Sequence, residues 1–304
     1  MLPQGLGGEA DPNSWDFVAP HGPLPNPVGH TFPLLTHDSA GVWRLIGTGF
    51  YISGDGLFVT AKHVIEEVWV QDRQVCPLVI LHLCSDSGLF GPQEYLLRPL
   101  MQCWVGDRAD VALGVAAQVT HNVTGEILSH WSWPLSWTEP ETAVRASTYA
   151  FPNHSIELTG THQTFHFQPD LYSGIIQEAG NFRDRVLVPY AYMHVDFRIH
   201  GAASGGPVVG PNGSVIGVNC RYMEPNGPGV TAQIRCLEGA YIDDVVLTRE
   251  DTPRRITFSE LVSAGAVKVT DYVPSAVAPQ TGHTLRFTLP VTAPAPSLQM
   301  TLYV

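Results

Sequence analysis

Short apolar runs separated by turn residues dominate the chain from residue 31 to about 118. The clearest run covers 42–52 and ends at Ser53-Gly54-Asp55-Gly56, after which 57–60 are again apolar. Two apolar runs around an Asp-Gly turn predict a β-hairpin. Similar runs predict strands over 32–35 and 78–83.

A second strand-rich region extends from residue 143 to about 250. Its apolar and alternating runs predict seven strands, over 143–152, 164–167, 173–177, 186–190, 206–209, 215–219 and 230–235. Pro211-Asn212-Gly213 predicts a turn between the fifth and sixth of them. Both strand-rich regions are therefore all-β.

The remaining segments lack this strand pattern. Residues 1–30, rich in Gly, Pro and Asn, predict an extended arm. Residues 119–142 predict a linker whose Trp131, Trp133 and Trp137 pack onto its neighbours, an interpretation favoured over a ligand site. In the C-terminal extension 251–304, the sequence predicts a short helix over 259–265, starting near Ser259, and a strand-like run over 284–289.

The composition supports a globular β protein and argues against one class of partner, nucleic acids. Of 304 residues, 44% are hydrophobic and 14% are charged, with 29 Gly and 25 Pro, as expected for many tight turns. The net charge is −12, and the one basic pair that stands out is Arg254-Arg255. Nucleic-acid binding requires a basic surface, so this charge argues against it.

The cysteines, histidines and termini predict no cofactor. The five cysteines are odd in number and form no CxxC pair, which argues against a disulfide framework or zinc site. His162 and His166 would share a strand face, but without a third ligand surface positions are favoured over a metal pair.

With no signal-peptide pattern and no apolar stretch of about 18 residues, we expect a cytoplasmic protein without a membrane partner.

Three short motifs carry the candidate chemistry. Gly201-Ala202-Ala203-Ser204-Gly205-Gly206-Pro207 places a serine among small residues, where backbone N–H groups can converge on an oxyanion. Thr60-Ala61-Lys62-His63-Val64 and Asp110-Val111-Ala112-Leu113 supply a histidine and a carboxylate. The intervals are 47 residues from 63 to 110 and 94 residues from 110 to 204.

Together these motifs resemble those of chymotrypsin-like and trypsin-like serine proteases, in the same His, Asp, Ser order. The resemblance covers about residues 31–248 and is greatest to compact bacterial trypsin-like and HtrA-like proteases, whose Asp-x-x-Ile segment is similar to 196–199 here. It implies that Ser204 is the nucleophile, His63 the general base and Asp110 the orienting carboxylate. Asp107 is a rival, but only Asp110 precedes Val-Ala-Leu.

The resemblance also implies a fold: all-β, with two six-stranded antiparallel β-barrels of the chymotrypsin-like type. We expect an N-terminal arm over 1–30, the first barrel over 31–118, the inter-barrel linker over 119–142, the second barrel over 143–250 and the C-terminal extension over 251–304.

The resemblance assigns the oxyanion hole to the backbone N–H groups of Ala202 and Ser204. The family usually has glycine where this chain has Ala202. If that position needs a positive φ, alanine is strained there. Either the loop rests inactive until a substrate or partner sets it, or alanine fits a slightly different loop without penalty.

Substrate-binding candidates flank the serine in the sequence: Arg198, His200, Asn219 and Arg221. The basic residues would favour an acidic P1 side chain, but an apolar pocket is the stronger interpretation. The leading function is a serine endopeptidase that acts on proteins or peptides through an acyl-enzyme. The alternatives are a dormant or partner-activated protease-fold module with a regulatory protein partner, and a serine esterase.

Overall fold

The computed structural model describes residues 18–19, 22–23, 29–71, 73–84, 94–118, 131–159, 162–182, 187–222, 229–245, 253–273, 281–288 and 298–302. The described chain consists mostly of strands, with two short α-helices and one short 3₁₀ helix, Ile234–Leu237. The predicted all-β class is confirmed. Within these ranges no helix has the length and hydrophobicity needed to cross a bilayer.

The elements of the first region, in chain order, are β1 (Val18–Ala19), β2 (Gly22–Pro23), β3 (Thr31–His37), β4 (Trp43–Tyr51), β5 (Leu57–Thr60), α1 (Lys62–Glu66), β6 (Trp69–Val70), β7 (Arg73–Gln74), β8 (Leu78–Cys84), β9 (Glu94–Gly106) and β10 (Ala112–Ala116). Six of these strands form a closed antiparallel barrel in the order β10-β5-β4-β3-β8-β9, and β9 pairs back to β10. The predicted β4–β5 hairpin is confirmed.

The sequence did not predict β9, because a charged residue and a proline interrupt its apolar run. Arg98 is fully buried in this strand. Its Nε donates to the carbonyl of Ala117 at 3.0 Å, and its Nη1 donates to the hydroxyl of Tyr51 at 3.2 Å. A buried guanidinium is tolerated when its donors are satisfied in this way.

The elements of the second region and the extension are β11 (Leu135–Ser136), β12 (Arg145–Thr159), β13 (His162–Gly180), β14 (Tyr192–Val195), β15 (Pro207–Val209), β16 (Val215–Tyr222), β17 (Gly229–Gln233), β18 (Tyr241–Val245), β19 (Arg254–Thr257), α2 (Phe258–Ser263), β20 (Val269–Thr270), β21 (Gly282–Arg286) and β22 (Leu298–Leu302). The second barrel closes in the order β15-β12-β13-β14-β17-β16, with β16 pairing back to β15. The predicted pair of six-stranded barrels is confirmed.

Three of the predicted strands in this barrel need correction. Runs 164–167 and 173–177 belong to one long strand, β13. The strand predicted over 186–190 is wrong for its described part, because 187–190 form a turn and an isolated bridge, and β14 follows instead. Pro189 has no N–H to donate to a ladder, which explains why the strand starts later.

The C-terminal extension adds to both barrels. β21 pairs with β9, and β22 runs parallel to β13. The predicted helix is present as α2 and starts near Ser259 as predicted; Thr257 is its N-cap, with Glu260 completing a capping box. In the linker, Trp133 and Trp137 are buried as predicted, whereas Trp131 is 67% exposed. The arm prediction falls mostly outside the described residues.

Candidate active site

His63 and Asp110 leave the first barrel at the same edge. β5 ends at Thr60, which pairs with Ala112 at the start of β10. The antiparallel register therefore brings the residues after β5 next to those before β10. α1 begins at Lys62 and places His63 in its first turn.

Asp110 holds both the ring and the backbone of His63. One carboxylate oxygen, Oδ2, lies 2.8 Å from Nδ1 of His63, and Oδ1 lies 3.1 Å from the same nitrogen. Oδ1 also accepts the backbone N–H of His63 at 3.0 Å, one of the unsatisfied donors at the start of α1. The carboxylate thus fixes the ring orientation and requires the proton of the neutral ring on Nδ1, leaving Nε2 as an acceptor.

Charges around His63 stabilise its protonated form. Partial burial lowers its pKa, but the hydrogen bond and charge of Asp110 outweigh burial, and Glu67 acts in the same direction. The pKa of His63 is therefore raised above its usual value, with Arg221 opposing the shift. For Asp110, burial opposes ionisation, but the hydrogen bond and charge of His63 lower its pKa.

Ser204 lies in the loop between β14 and β15, on the second barrel. Its hydroxyl donates to the carbonyl of Cys220 at 3.1 Å, and no hydrogen bond joins it to His63 in the described structure. The backbone around it is fixed: the N–H of Gly205 donates to Asn219 at 2.7 Å, and the N–H of Gly206 donates to Ala203 at 3.0 Å. Catalytic hydrogen bonds often form only when substrate binds, so the missing bond between Ser204 and His63 does not exclude a catalytic role for the serine.

Ala202 has a φ of 64°, in the left-handed region. The condition posed by the sequence is met: alanine stands where glycine would be unstrained. The carbonyl of Ala202 accepts the hydroxyl of Thr48 at 2.7 Å. Within the described part of the chain, the N–H groups of Ala202 and Ser204 donate to no acceptor, so both are available to a developing oxyanion.

The four predicted substrate-binding residues have different surroundings. Arg198 is exposed, and His200 is half-buried and stacks on Tyr172, with ring centroids 5.3 Å apart. Arg221 is exposed, donates to the carbonyl of Leu187, and acts electrostatically on both His63 and Asp110.

Asn219 requires a correction, because its side chain is fully buried. Its amide donates to the Thr148 hydroxyl at 2.7 Å and to the Ala203 carbonyl at 3.4 Å. The side chain therefore stabilises the loop over 196–206 that contains Ser204 (the serine loop) from inside the barrel, and it does not face a substrate.

The other candidates lie apart from this constellation. Asp107 lies against the C-terminal extension: its backbone N–H donates to Thr281 at 2.9 Å, and its carboxylate is 3.6 Å from His283. His166 lies 3.5 Å from Glu157, and the side chain of His162 is outside the described part. No three potential metal-ligating side chains come together among the described residues.

The thiol of Cys220 is buried behind the site. Its Sγ donates to the backbone carbonyl of Asp110 at 3.4 Å, and burial raises its pKa well above the usual value. A neutral thiol in this position packs against the Asp110 loop, which indicates a structural role.

Sequence reasoning missed Thr48, the residue of the first barrel that contacts the serine loop. A signal was present, because Thr48 stands between Gly47 and Gly49 inside an apolar strand, and glycines in a strand often mark a close backbone approach. A Cβ on Gly47 would lie 2.6 Å from Val64 and 3.1 Å from the carbonyl oxygen of Ser204.

Several solved structures and one family of domains are similar to this chain. No curated protein matches the sequence. Solved structures with a similar fold include the serine endoprotease from Yersinia pestis (17% identity, 68% of this chain and 59% of that chain covered, TM-score 0.44) and Deg5 (14%, 68% and 84%, 0.47). A third is the HtrA-type protease AlgW with tripeptide (17%, 68% and 57%, 0.44).

This chain thus spans less than two thirds of the length of the first and third of those proteins. The family of trypsin-like peptidase domains matches residues 47–218, more than half of the chain and the whole interval that holds His63, Asp110 and Ser204. The chain therefore belongs to the trypsin-like peptidase domain family.

Proposed function

We propose that this protein is a serine endopeptidase that hydrolyses peptide bonds in protein or peptide substrates through an acyl-enzyme. The observation that carries the proposal is a pair of hydrogen bonds between His63 and the carboxylate of Asp110, one at Nδ1 (2.8 Å) and one at the backbone N–H (3.0 Å). A histidine fixed in this way presents Nε2 as an acceptor, which a general base requires, and Ser204 on its loop of small residues is the proposed nucleophile.

The reaction proceeds in two stages. The Oγ of Ser204 attacks the scissile carbonyl while Nε2 of His63 takes its proton, and the N–H groups of Ala202 and Ser204 stabilise the oxyanion. The tetrahedral intermediate collapses, and Nε2 returns the proton to the leaving amine. Water then attacks the acyl ester with the same proton transfers, releasing the carboxylic acid and restoring Ser204.

The test is labelling of the purified protein with a fluorophosphonate, alongside peptide hydrolysis. We expect the wild type to be labelled and Ser204→Ala to be unlabelled. Ser263→Ala, on the exposed face of α2, serves as the control and keeps full labelling. Labelling that persists in Ser204→Ala would contradict the assignment of the nucleophile.

A dormant or partner-activated module is the second candidate. Two observations favour it: the left-handed φ of Ala202 and the engagement of the Ser204 hydroxyl with Cys220. It requires that the isolated wild type be neither labelled nor hydrolytic until a partner is added. Labelling of the isolated protein at Ser204 excludes it, and ester turnover without peptide turnover would indicate an esterase.

A further inference from the structure

The serine loop belongs to the second barrel, but Thr48 of the first barrel holds it at two points. The backbone N–H of Thr48 donates to the carbonyl of Ser204 at 2.8 Å. Its hydroxyl donates to the carbonyl of Ala202 at 2.7 Å. Thr48 is fully buried, which limits the access of water to these bonds, although Ala202 and Ser204 are half-buried.

The hydrogen bond from the Thr48 hydroxyl helps to fix the peptide group that follows Ala202, the residue with the left-handed φ. The peptide group between Ala202 and Ala203 is held on both sides, by Thr48 at its carbonyl and by the carbonyl of His200, 3.1 Å from its N–H. With that peptide fixed, the φ and ψ of Ala202 decide where the Ala202 N–H points. A left-handed alanine persists only where its surroundings impose it, and the Thr48 bond is such a constraint.

Thr48 is itself tied to the strand that leads to His63. Its carbonyl accepts the hydroxyl of Thr60 at 2.7 Å, three residues before the histidine. A Cβ on Gly205 would lie 2.1 Å from that carbonyl and from the Thr60 hydroxyl, so the loop is seated directly on this pair of threonines. The loop with Ser204 and the segment with His63 are therefore both anchored at Thr48 on β4 and Thr60 on β5.

We propose that Thr48 is a positioning residue whose hydroxyl holds Ala202 in the conformation that aims its N–H at the oxyanion. The proposal rests on the function proposed above. It predicts that removing the hydroxyl slows bond formation at Ser204 without weakening the initial binding of the reagent. A merely structural role would instead lower the amount of folded protein and leave the rate of the folded fraction unchanged.

The experiment compares fluorophosphonate labelling kinetics of Thr48→Val, Thr48→Ser and the wild type. The three measured quantities are the maximal labelling rate, the concentration giving half of it, and the final labelled fraction. The loss of one oxyanion donor costs about 10²–10³ in rate, so a misaimed donor in Thr48→Val is expected to slow maximal labelling by about 10- to 100-fold. The half-maximal concentration stays unchanged, and Thr48→Ser, which keeps the hydroxyl, restores the rate.

Thr36→Val is the matched control. Thr36 is also fully buried in the first barrel, and its hydroxyl donates to a backbone carbonyl, that of Pro77, at 2.6 Å. It contacts no residue of the serine loop among the bonds described, so its variant reports only the general effect of losing a buried hydroxyl. We expect a reduced melting temperature in both variants and a reduced maximal rate in Thr48→Val alone.

The outcomes separate this proposal from the proposed function. A wild type without Ser204-dependent labelling overturns the function itself. A labelled wild type with a Thr48→Val rate equal to that of Thr36→Val overturns the positioning role, as does a Thr48→Ser variant as slow as Thr48→Val. If Thr48→Val does not fold, Thr48→Cys replaces it, because a thiol of similar size is a weak donor.

Discussion

The two halves of the candidate site differ in how completely they are assembled. On the first barrel, the carboxylate of Asp110 already makes the contacts with His63 at 2.8 Å and 3.0 Å that a general base needs. On the second barrel, Ser204 donates to Cys220 and its loop contains a left-handed alanine. The proposed base is therefore preorganised within one sheet, whereas the proposed nucleophile depends on support from the other barrel.

This difference follows from the segments that hold each group. His63 and Asp110 lie three and two residues from the paired positions Thr60 and Ala112, so the sheet itself places them. Ser204 also lies only three residues from a paired position, Pro207, but its loop is held to the first barrel by a hydrogen bond from the N–H of Thr48 to the carbonyl of Ser204. Variants of the first half should therefore affect the chemistry, and variants of the second half both the chemistry and the stability.

The largest expected effect is that of Asp110→Asn, which tests the preorganised half. Asparagine keeps the shape but offers an N–H where Nδ1 needs an acceptor, so the wrong tautomer is favoured. We expect kcat for peptide hydrolysis to fall by about 10⁴, as in the type case of this triad. Asp107→Asn, on the surface beside His283, is the control and should leave kcat unchanged. Equal losses in both variants would contradict the role of Asp110.

The next effect tests the seating of the serine loop. Gly205 has a φ of 86°, and a Cβ there would collide with Thr48 and Thr60 at 2.1 Å. An alanine here would be strained by the positive φ and would overlap atoms that cannot move away easily. We therefore expect Gly205→Ala to lose about 3 kcal/mol of unfolding free energy and most of its fluorophosphonate labelling.

Gly201→Ala is the matched control in the same loop, since a Cβ at Gly201 meets nothing within 4 Å. Its unfolding free energy should stay within about 0.5 kcal/mol of the wild type. Chemical denaturation of both variants measures the difference. Two equally stable variants would show that the loop is not seated as tightly as these distances indicate.

A smaller effect is expected from Ala202→Gly. Relief of the left-handed strain favours glycine by about 1–2 kcal/mol, and the greater freedom of the unfolded chain offsets about 0.4–1 kcal/mol of that. We therefore expect a net gain of about 0.5–1 kcal/mol, with the Ser204 labelling rate unchanged because Thr48 still fixes the carbonyl. Ala203→Gly, next to it but buried and without positive φ, should lose stability; a loss in both would show that Ala202 is unstrained.

The sequence predicted most of the strands because they are encoded locally, and the resemblance carried by the three motifs implied the pair of barrels and the candidate triad. Turn residues at 53–56 and 211–213 delimit hairpins, and each of the three motifs combines a chemical group with the strand beside it. Their order along the chain then sufficed to suggest the fold. The prediction failed where a long-range partner decides the structure.

Two such failures are Arg98 and Asn219. A charged residue within a strand argues against burial, yet Arg98 is buried because Tyr51 and Ala117 accept its protons. Asn219 was assigned to the substrate because it lies near the pocket strand in sequence. The Thr148 hydroxyl, 71 residues away, is what turns its amide inward. Such partners cannot be inferred from local pattern.

The smallest expected effects concern the pH dependence of labelling. They test whether charged residues around the preorganised half shift the pKa of His63. Glu67 raises the pKa of His63 and Arg221 lowers it. His63 must be neutral to accept the proton of Ser204, so activity rises as pH increases through this pKa. Glu67→Gln should therefore move the acidic limb of the labelling rate to lower pH, and Arg221→Gln should move it to higher pH.

Both residues are exposed, so salt should weaken their influence. We expect the two limbs to converge on the wild-type profile when labelling is repeated in 1 M salt, where the Debye length is about 3 Å. The shift due to Asp110, which touches the ring directly, should persist. Shifts of the same sign in the two variants would contradict the electrostatic origin, because a general disturbance of the site has no reason to respond to the sign of the removed charge.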